Sequence, residues 1–415
     1  MEHPLLQSYG SLDGWHILLI IGGLSIGFFL YQVQKATRLV MLGAQDNRFD
    51  SWFTRISEFT IGWLGQKRVL RDRVAGSMHV LMFWGFLMLA SDMLDLATAN
   101  AFSDHVLPEL LNGPWNGMVE LGYTMALIGC VAALIRRVVF TPEKLKGKSQ
   151  FEGNVILFLI FSITVTSFVV ESFHGPSRTW EPIGHWVSGM DIADRTVVAA
   201  YWIHMLSICV FFVLIPLSKH MHLVMAVPNV FFHDVEPPGK MRPLAVGEDG
   251  KAVPLEDLDI DSFGVSTYTQ YTWRQLIDGW SCTSCARCQD VCPAYASGKG
   301  LNPMEVIHDV RNYANEHAPL LLAGEQPEET MIQRITDEAV WACTTCNACV
   351  DVCPLYIEHV PKLTDLRRNA MMETMEYPEE LNTAMGNIES ASNPYGFGAH
   401  ERADWAADLD VKVGE

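Results

Sequence analysis

The sequence predicts an all-α protein in which a five-helix transmembrane bundle precedes a smaller helical domain. The 415-residue chain is 49% hydrophobic and only 19% charged. Five apolar segments lie before about residue 230, and eight of the ten cysteines lie between Cys282 and Cys353. Most acidic residues follow the last apolar segment, so the net charge of −19 belongs mainly to the second half. This negative charge argues against nucleic-acid binding.

Each apolar segment approaches the ~20 residues that an α-helix needs to cross the hydrocarbon core of a bilayer. The alternative is a large helical core in a soluble protein, and five such segments in series argue against it. The segments are, approximately, Trp15–Val33, Val74–Leu94, Met118–Ile135, Val155–Val170 and Val197–Leu217.

Lysine and arginine are unevenly distributed over the loops between these segments. Asp95–Gly117 contains neither, and Glu171–Thr196 contains only Arg178 and Arg195, whereas the first and third loops are rich in both. Because basic loops stay in the cytoplasm, we expect the N-terminus outside and the cysteine-rich half inside the cell. The sequence therefore predicts a multi-pass protein of the cell inner (cytoplasmic) membrane, with membrane lipid around the bundle.

Two similar cysteine runs, SCTSCARCQDVCP and ACTTCNACVDVCP, lie in the second half. Both have the spacing C-x2-C-x2-C-x3-C-P, which is typical of proteins that bind two [4Fe–4S] clusters. In that pattern the fourth cysteine of each run ligates the other cluster. Zinc sites are the alternative, but they usually pair two C-x2-C knuckles. The predicted ligands are Cys282, Cys285, Cys288 and Cys353 for one cluster, and Cys343, Cys346, Cys349 and Cys292 for the second.

The residues between the two runs show helical periodicity, as in NPMEVIHDVRNYA. This periodicity predicts an α-helical two-cluster ferredoxin domain rather than one that contains β-strands. A stretch rich in proline, glycine and acidic residues precedes the domain and is typical of a linker. The predicted organisation is a transmembrane domain over residues 1–222, a linker over 223–270, the ferredoxin domain over 271–377 and a C-terminal tail over 378–415.

Two histidines lie near the cytoplasmic ends of predicted membrane helices, His79 on the second and His222 on the fifth. Ionisable residues inside a membrane are costly and usually functional. A low-spin b haem needs two imidazoles from facing helices at similar depth. Arg71, Arg73 and Lys219 are the basic residues expected beside its propionates. The alternative is that both histidines lie at the membrane surface and contact water.

A third histidine, His204, precedes His222 by 18 residues, or about five turns at about 3.6 residues per turn, so both are predicted on one helix face. Three roles stay open for His204: ligand of a second haem, contact for a quinone headgroup, or hydrogen bonding within the bundle. A second haem needs another ligand near the outer surface. The second helix has Leu89 rather than histidine ten residues beyond His79.

Four stretches of the sequence resemble a known family: HVLMFWGFL, IPLSKHMHLVMAVPNVFF, TWRQLIDGWSCTSCARCQDVCPAYASGKGLNP and WACTTCNACVDVCPLYIEHVPK. They resemble the membrane iron–sulfur oxidoreductases related to heterodisulfide reductase, which include the electron-transfer-flavoprotein:menaquinone oxidoreductases. The first 235 residues resemble the gamma subunit of respiratory nitrate reductase, a five-helix cytochrome b. The resemblance implies one haem b between His79 and His222 and matches His204 to a ligand of a second. It leaves that second haem open, because Leu89 occupies the remaining ligand position.

The resemblance implies an electron-transfer subunit of a quinone-linked oxidoreductase. Electrons would pass between a cytoplasmic partner, the two clusters, haem b and menaquinone. The alternative is a membrane anchor and assembly scaffold whose clusters are structural, with catalysis on a partner subunit. Family members usually continue into two cysteine-rich CCG domains, whereas this sequence has no cysteine after Cys353. We therefore expect a CCG-domain subunit or an electron-transfer flavoprotein as partner, unless the sequence is part of a longer protein.

Overall fold

The structure is almost entirely helical. A computed structural model describes residues 4–102, 112–140, 148–171, 178–236, 239–244, 253, 254, 257 and 263–409. The strands in this part of the chain are β1 (Ser8–Tyr9) and β2 (Leu12–Asp13), which form a short antiparallel hairpin before the first long helix. The prediction of an all-α protein is confirmed.

Five long helices make up the first half of the chain, with two short helices between them. The helices in chain order are α1 (Gly14–Val40), α2 (Trp52–Phe59), α3 (Arg73–Phe102), α4 (Asn112–Val138), α5 (Lys148–Glu171), α6 (Pro182–Ser188) and α7 (Asp194–Leu217). Among the described residues, the five long ones are each long and apolar enough to cross a membrane, as predicted. Helix α1 packs on α7, α7 on α5, α5 on α4 and α4 on α3.

Glycines let α3 and α4 approach closely near the predicted haem histidine. A Cβ atom on Gly129 of α4 would lie 2.8 Å from the carbonyl oxygen of Met78, the residue before His79. A Cβ atom on Gly85 would lie 2.7 Å from the Gly122 carbonyl oxygen. Small residues of this kind are the usual contacts between membrane helices. They hold the His79 turn of α3 against the rest of the bundle.

Helix α7 ends at Leu217, so the predicted single helix that continues to His222 is wrong. Pro216 lies in the last turn, where its ring disfavours continuation of the helix. Ser218 is extended and caps a single 3₁₀ turn, after which α8 (His222–Phe231) begins. Because of this break, the 18-residue spacing no longer places the two histidines of this segment on one helix face.

The second half consists of short helices around a common core that includes Tyr271, Leu276 and Tyr313. Leu39, at the end of α1, belongs to the same core, so this domain packs directly on a membrane helix. Helix α8 occupies the first residues of the stretch predicted as a linker. The later helices are α9 (Trp273–Ser281), α10 (Arg287–Asp290), α11 (Pro293–Ala296), α12 (Pro303–Glu316), α13 (Ala318–Leu322), α14 (Met331–Ile335), α15 (Asp337–Ala342), α16 (Ala348–Val352), α17 (His359–Asn369) and α18 (Glu380–Ala391).

Candidate metal centres

The structure brings together the cysteines of each predicted ligand set around its own cavity. The cavity of the first set, about 320 Å³, also includes Arg287 and Met304 in its wall. The cavity of the second set, about 340 Å³, also includes Pro293 and Asn347. The first is named the Cys282 cavity and is lined by Cys282, Cys285, Cys288 and Cys353. The second is named the Cys343 cavity and is lined by Cys343, Cys346, Cys349 and Cys292. Each fourth cysteine thus lies in the cavity of the other run.

The two cysteine runs fold alike because the same positions adopt left-handed backbone. In the first run Ser284 and Ala286 have positive φ angles, and in the second run Thr345 and Asn347 do. These residues wrap each loop around its first three cysteines. The Thr345 N–H then donates a hydrogen bond to the Cys343 sulfur at 3.4 Å. Such backbone donors stabilise a thiolate.

The donor chemistry of the two cavities fits [4Fe–4S] clusters. Four thiols surround each cavity, and soft thiolate ligands favour iron–sulfur clusters. Burial raises the pKa of the Cys282 and Cys349 thiols to about 12, so their ionisation at neutral pH requires a bound cation. In the described part of the chain, no group of three or more His, Cys, Asp or Glu side chains is positioned to hold a single metal ion.

His359 lies between the two cavities and contributes to the walls of both. It is buried, and its Nδ1 lies 3.1 Å from the Ile357 carbonyl oxygen. Met304 also packs against cysteines of both cavities. The side chains between the two sites therefore include one buried imidazole and apolar groups.

Two side chains that the sequence did not point to lie beside the cysteines. His308 of α12 has its Nε2 atom 3.0 Å from the Ser284 hydroxyl and 3.6 Å from the Cys282 sulfur. Arg367 of α17 donates hydrogen bonds to the Val340 and Cys343 carbonyl oxygens, both at 2.6 Å. Neither residue belongs to a cysteine motif, and only the folding of α12 and α17 around the loops brings them there.

The Cys282 cavity lies beside the membrane bundle. Arg287 in its wall donates hydrogen bonds to the Arg68 and Val69 carbonyl oxygens, at 3.0 and 3.2 Å, just before α3 begins. Lys219, just after α7, lies within electrostatic range of Cys285. In the Cys343 cavity, by contrast, Cys346 is exposed to solvent. One cavity therefore adjoins the membrane helices and the other opens at the surface.

The predicted haem ligands His79 and His222 lie within electrostatic range of each other. His222 has its Nδ1 atom 2.8 Å from the Lys219 carbonyl oxygen, which directs Nε2 away from its own backbone. His79 is stacked on Phe83, and its buried Nδ1 has no hydrogen-bond partner among the described residues. A fixed imidazole within electrostatic range of a buried imidazole fits a bis-histidine haem. The chain thus offers the residues for a haem here.

His204 hydrogen-bonds within the bundle. Its Nδ1 atom lies 3.1 Å from both the Ile163 carbonyl oxygen and the Thr166 hydroxyl of α5. Hydrogen bonding within the bundle is one of the three roles predicted for His204. A histidine that binds a haem through one ring nitrogen also has its other ring nitrogen hydrogen-bonded, so this orientation fits a ligand as well. Binding of a second haem or a quinone by His204 stays a prediction.

Two arginines that precede α3, Arg68 and Arg71, join the cluster domain to the membrane domain. Arg71 forms a two-pronged ion pair with Asp351, at 2.9 and 3.2 Å. Arg68 lies 3.6 Å above the centre of the Tyr356 ring and donates a hydrogen bond to the Cys353 carbonyl oxygen. Arg71 contacts Asp351 in this structure, and its role beside a haem propionate, like those of Arg73 and Lys219, stays a prediction.

A buried charge network also joins the two domains. Arg274 donates to Asp278 at 2.8 Å, and Lys362 contacts the other oxygen of Asp278. Glu358 accepts from Arg48, which lies in the loop after α1, at 3.1 Å. Burial opposes ionisation of Asp278, but Lys362 and Arg274 hold the pKa of this carboxyl below its ordinary value. The network fixes the cluster domain against the membrane loops.

Comparison with known proteins assigns this site to a class. Residues 274–354 match the family model described as a 4Fe-4S dicluster domain. The homologues of this chain include iron–sulfur oxidoreductases. The chain is 29% identical to the EtfAB:quinone oxidoreductase of Syntrophomonas wolfei and 28% identical to a probable iron–sulfur-binding oxidoreductase of Bacillus subtilis, in both cases over 95% of its own length. The predicted resemblance to iron–sulfur oxidoreductases related to heterodisulfide reductase is confirmed, whereas the resemblance of the first 235 residues to the gamma subunit of nitrate reductase stays a prediction.

The chain spans 60% and 61% of the lengths of these two relatives. A probable membrane-anchored ferredoxin of Chromohalobacter salexigens is 35% identical over 40% of this chain and 28% of its own length. No solved structure gives a significant match. The iron–sulfur electron-transfer role and the membrane character therefore rest on the dicluster domain, these relatives and the apolar helices together.

Proposed function

We propose that the chain passes electrons between a cytoplasmic redox partner and menaquinone in the bilayer, as the membrane subunit of a quinone-linked oxidoreductase. The observation that carries this proposal is the arrangement of the Cys282 cavity beside the end of the bundle that holds His79 and His222. When bound, two [4Fe–4S] clusters and a haem b supply one-electron acceptors and donors at these positions. The name of the Syntrophomonas relative, EtfAB:quinone oxidoreductase, supports a quinone as the electron acceptor or donor in the membrane.

The residues of the chain have separate tasks in this function. The two cysteine sets hold the clusters, while His79 and His222 hold the haem. His359 and Met304 exclude water from the space between the cavities. A dry, rigid environment keeps the distances between redox centres constant, which is the contribution that a protein makes to cofactor chemistry.

The positions of the two cavities indicate which one exchanges electrons with the partner and which one with the membrane domain. Cys346 is exposed, so the Cys343 cavity is the one that a cytoplasmic partner reaches. Arg287 and Lys219 connect the Cys282 cavity to the loops at the cytoplasmic end of α3 and α7. We therefore assign the Cys343 cavity to exchange with the partner and the Cys282 cavity to exchange with the membrane domain.

The partner that we propose is an electron-transfer flavoprotein or a CCG-domain subunit, docked near Cys343–Pro354. Relatives include an EtfAB:quinone oxidoreductase and subunits of heterodisulfide reductases, which supports both candidates. We place the chain in the cytoplasmic membrane with its N-terminus outside and its cysteine domain in the cytoplasm, because basic residues accumulate in the loops on the side of that domain. The quinone exchanges at the bundle, where His204 is the candidate headgroup contact.

The test is reoxidation of the chemically reduced protein by a quinone. We expect that the anaerobically purified, dithionite-reduced chain in lipid nanodiscs transfers electrons to a menaquinone analogue, with loss of the reduced-haem absorbance and of the reduced-cluster EPR signals. A matched sample with a non-redox quinone analogue measures slow background oxidation. Clusters and haem that stay reduced in the presence of the active quinone would favour the anchor and scaffold function.

A further inference from the structure

Helix α2 has an inverted arrangement of polar and apolar side chains. A helix on a soluble domain buries its apolar face and exposes its polar face. In α2 the side chain of Phe53 is 93% exposed, and those of Ile56 and Trp52 are 53% and 47% exposed. At about 100° per residue these three side chains share one face, and Phe49, in the preceding loop, is also exposed. The protein therefore presents an aromatic and aliphatic surface, Phe49, Trp52, Phe53 and Ile56, hereafter the α2 face.

The side of α2 that carries Arg55 and Glu58 contacts the chain that follows α7. Arg55 is almost fully buried and donates hydrogen bonds to the His233 carbonyl oxygen at 2.7 Å and to the Asp50 backbone oxygen at 2.9 Å. Glu58 lies 2.6 Å from Nε2 of His233. These contacts fix the rotation of the helix about its own axis. The fold itself therefore keeps the α2 face exposed.

Contacts with α3 establish the height of this segment relative to the membrane. The chain continues from α2 into a turn of π-helix, Thr60–Leu64, whose Trp63 ring packs edge-on against Phe83 at 5.1 Å. Phe83 lies within the membrane-spanning part of α3, Arg73–Ser91. Phe83 lies near the middle of that span, so the segment that follows α2 packs along a membrane helix and places α2 beside the bilayer. The basic residues Lys67 and Arg73, both exposed, follow it in the sequence and match lipid phosphates in charge.

We propose that α2 is an interfacial helix whose α2 face inserts into the headgroup and acyl-chain boundary of the bilayer. Tryptophan and phenylalanine are the side chains that favour this boundary, and an exposed apolar face of this kind marks a membrane or protein contact. Lipid is the occupant because Phe59, at the end of α2, stacks on Trp63, and Trp63 packs against Phe83 of the membrane helix α3. The proposal depends on the membrane location of the bundle and not on the electron-transfer function.

Helix α2 also connects the membrane surface to the cluster domain. Arg55 and Glu58 connect the interfacial helix to His233, and the ring of His233 packs against Tyr356, two residues after Pro354, at a centroid distance of 4.4 Å. The membrane surface is thereby coupled through two aromatic residues to the second cysteine run. An inserted α2 holds that run at a constant distance from the bilayer.

Photocrosslinking in lipid tests the proposal. p-Benzoylphenylalanine is incorporated in place of Phe53 in the full chain, which is reconstituted in vesicles of phosphatidylethanolamine and phosphatidylglycerol and irradiated. The matched control places the same residue at Thr54, which is exposed on the same helix about 100° further round. Replacement of one exposed aromatic side chain by another leaves the buried contacts of α2 intact.

We expect lipid adducts of the peptide that contains position 53, detected by mass spectrometry, at several-fold higher yield than those of position 54. The same variant in native membranes should again give lipid adducts. Equal, low lipid yields at both positions would overturn the proposal. Crosslinks from position 53 to another protein in native membranes would also overturn it and assign the α2 face to a protein partner. Because neither readout requires electron transfer, failure here is distinguishable from failure of the proposed function.

Discussion

At the scale of single residues, the two clusters are made inequivalent by His308. The two cysteine runs have the same backbone conformation, but in the described part of the chain the only imidazole within hydrogen-bond distance of a ligand sulfur is that of His308. Its Nε2 lies 3.6 Å from the Cys282 sulfur and donates to it in the tautomer that is protonated at Nε2. A hydrogen-bond donor to a ligand sulfur stabilises the reduced, more negative cluster. His308 therefore favours the electron on the cluster next to the membrane domain.

Replacement of this donor should lower the reduction potential of one cluster only. We expect His308→Leu to shift the midpoint of the cluster in the Cys282 cavity downward by on the order of 60 mV, about a tenfold change in the one-electron equilibrium. EPR-monitored redox titration measures both clusters. The control is His317→Leu, which removes a histidine bound to Glu329 outside both cavities. An unchanged Cys282 cluster, or a shift of the other cluster, would contradict the role of His308.

The crossed ligand sets give a second prediction at this scale. Cys292 lies in the cavity of Cys343, Cys346 and Cys349, far along the sequence from them. Cys292→Ala should therefore abolish the EPR signal of that cluster and leave the Cys282 cluster in place. Cys209→Ala, in a membrane helix, is the control and should leave both signals unchanged. Selective loss of the Cys282 cluster would refute crossed ligation.

At the scale of helices, the junction after α7 decides which histidine faces the bundle. His222 is held by the Lys219 carbonyl oxygen, whereas His220 has its Nδ1 atom 3.1 Å from the Ser218 hydroxyl. We expect His79→Ala and His222→Ala each to remove at least about nine-tenths of the bound haem b in a pyridine haemochrome assay, because a bis-histidine haem needs both ligands. His220→Ala is the matched control and should retain the haem. Haem loss in the His220 variant alone would exchange the roles of these histidines.

Much of this architecture could be predicted from the sequence, and the exceptions have physical causes. Length and hydropathy define the five long helices, and the cysteine spacing groups the ligands before any fold is known. The break at Ser218 was missed because helical periodicity carries no information on a capping hydroxyl. The site of His308 was missed because it depends on packing between segments far apart in the sequence, and the same kind of packing brings Arg71 to Asp351. The exposed apolar face of α2 could not be predicted from the sequence because it depends on which side of the helix the rest of the fold covers.

At the scale of the whole molecule, a buried charge network connects the cluster domain to the membrane loops. Glu358 is nearly fully buried and contacts Arg48, Arg242 and Arg274. Burial opposes its ionisation, but Arg274 and Arg242 hold the pKa of Glu358 below its ordinary value of 4.5. A carboxyl with a lowered folded-state pKa stabilises the protein above its ordinary value, and that stability is lost as the pH falls through the lowered value. The domain contact is therefore expected to be constant at neutral pH and to weaken in acid.

Removal of this carboxylate should destabilise the assembly. Glu358→Gln removes one carboxylate from the three arginines, which keep Asp46 and Asp278 as partners, and we expect a loss of about 1–3 kcal/mol in the free energy of unfolding of the cluster domain at pH 7. Chemical denaturation followed by cluster absorbance measures it. Glu236→Gln removes an exposed carboxylate that pairs with Lys240 and is the control, with no measurable change expected. Equal stability of the two variants would show that the network does not hold the domain.

The central claim, that one chain carries two clusters beside a haem, is tested most directly by its cofactor content. Anaerobic purification in mild detergent, with iron, acid-labile sulfide, zinc and haem quantified on the same sample, should give about eight non-haem irons, about eight sulfides and one haem b per chain. EPR of the reduced sample should show two interacting [4Fe–4S] clusters. Two zinc ions without sulfide, or two clusters without any haem, would contradict the account.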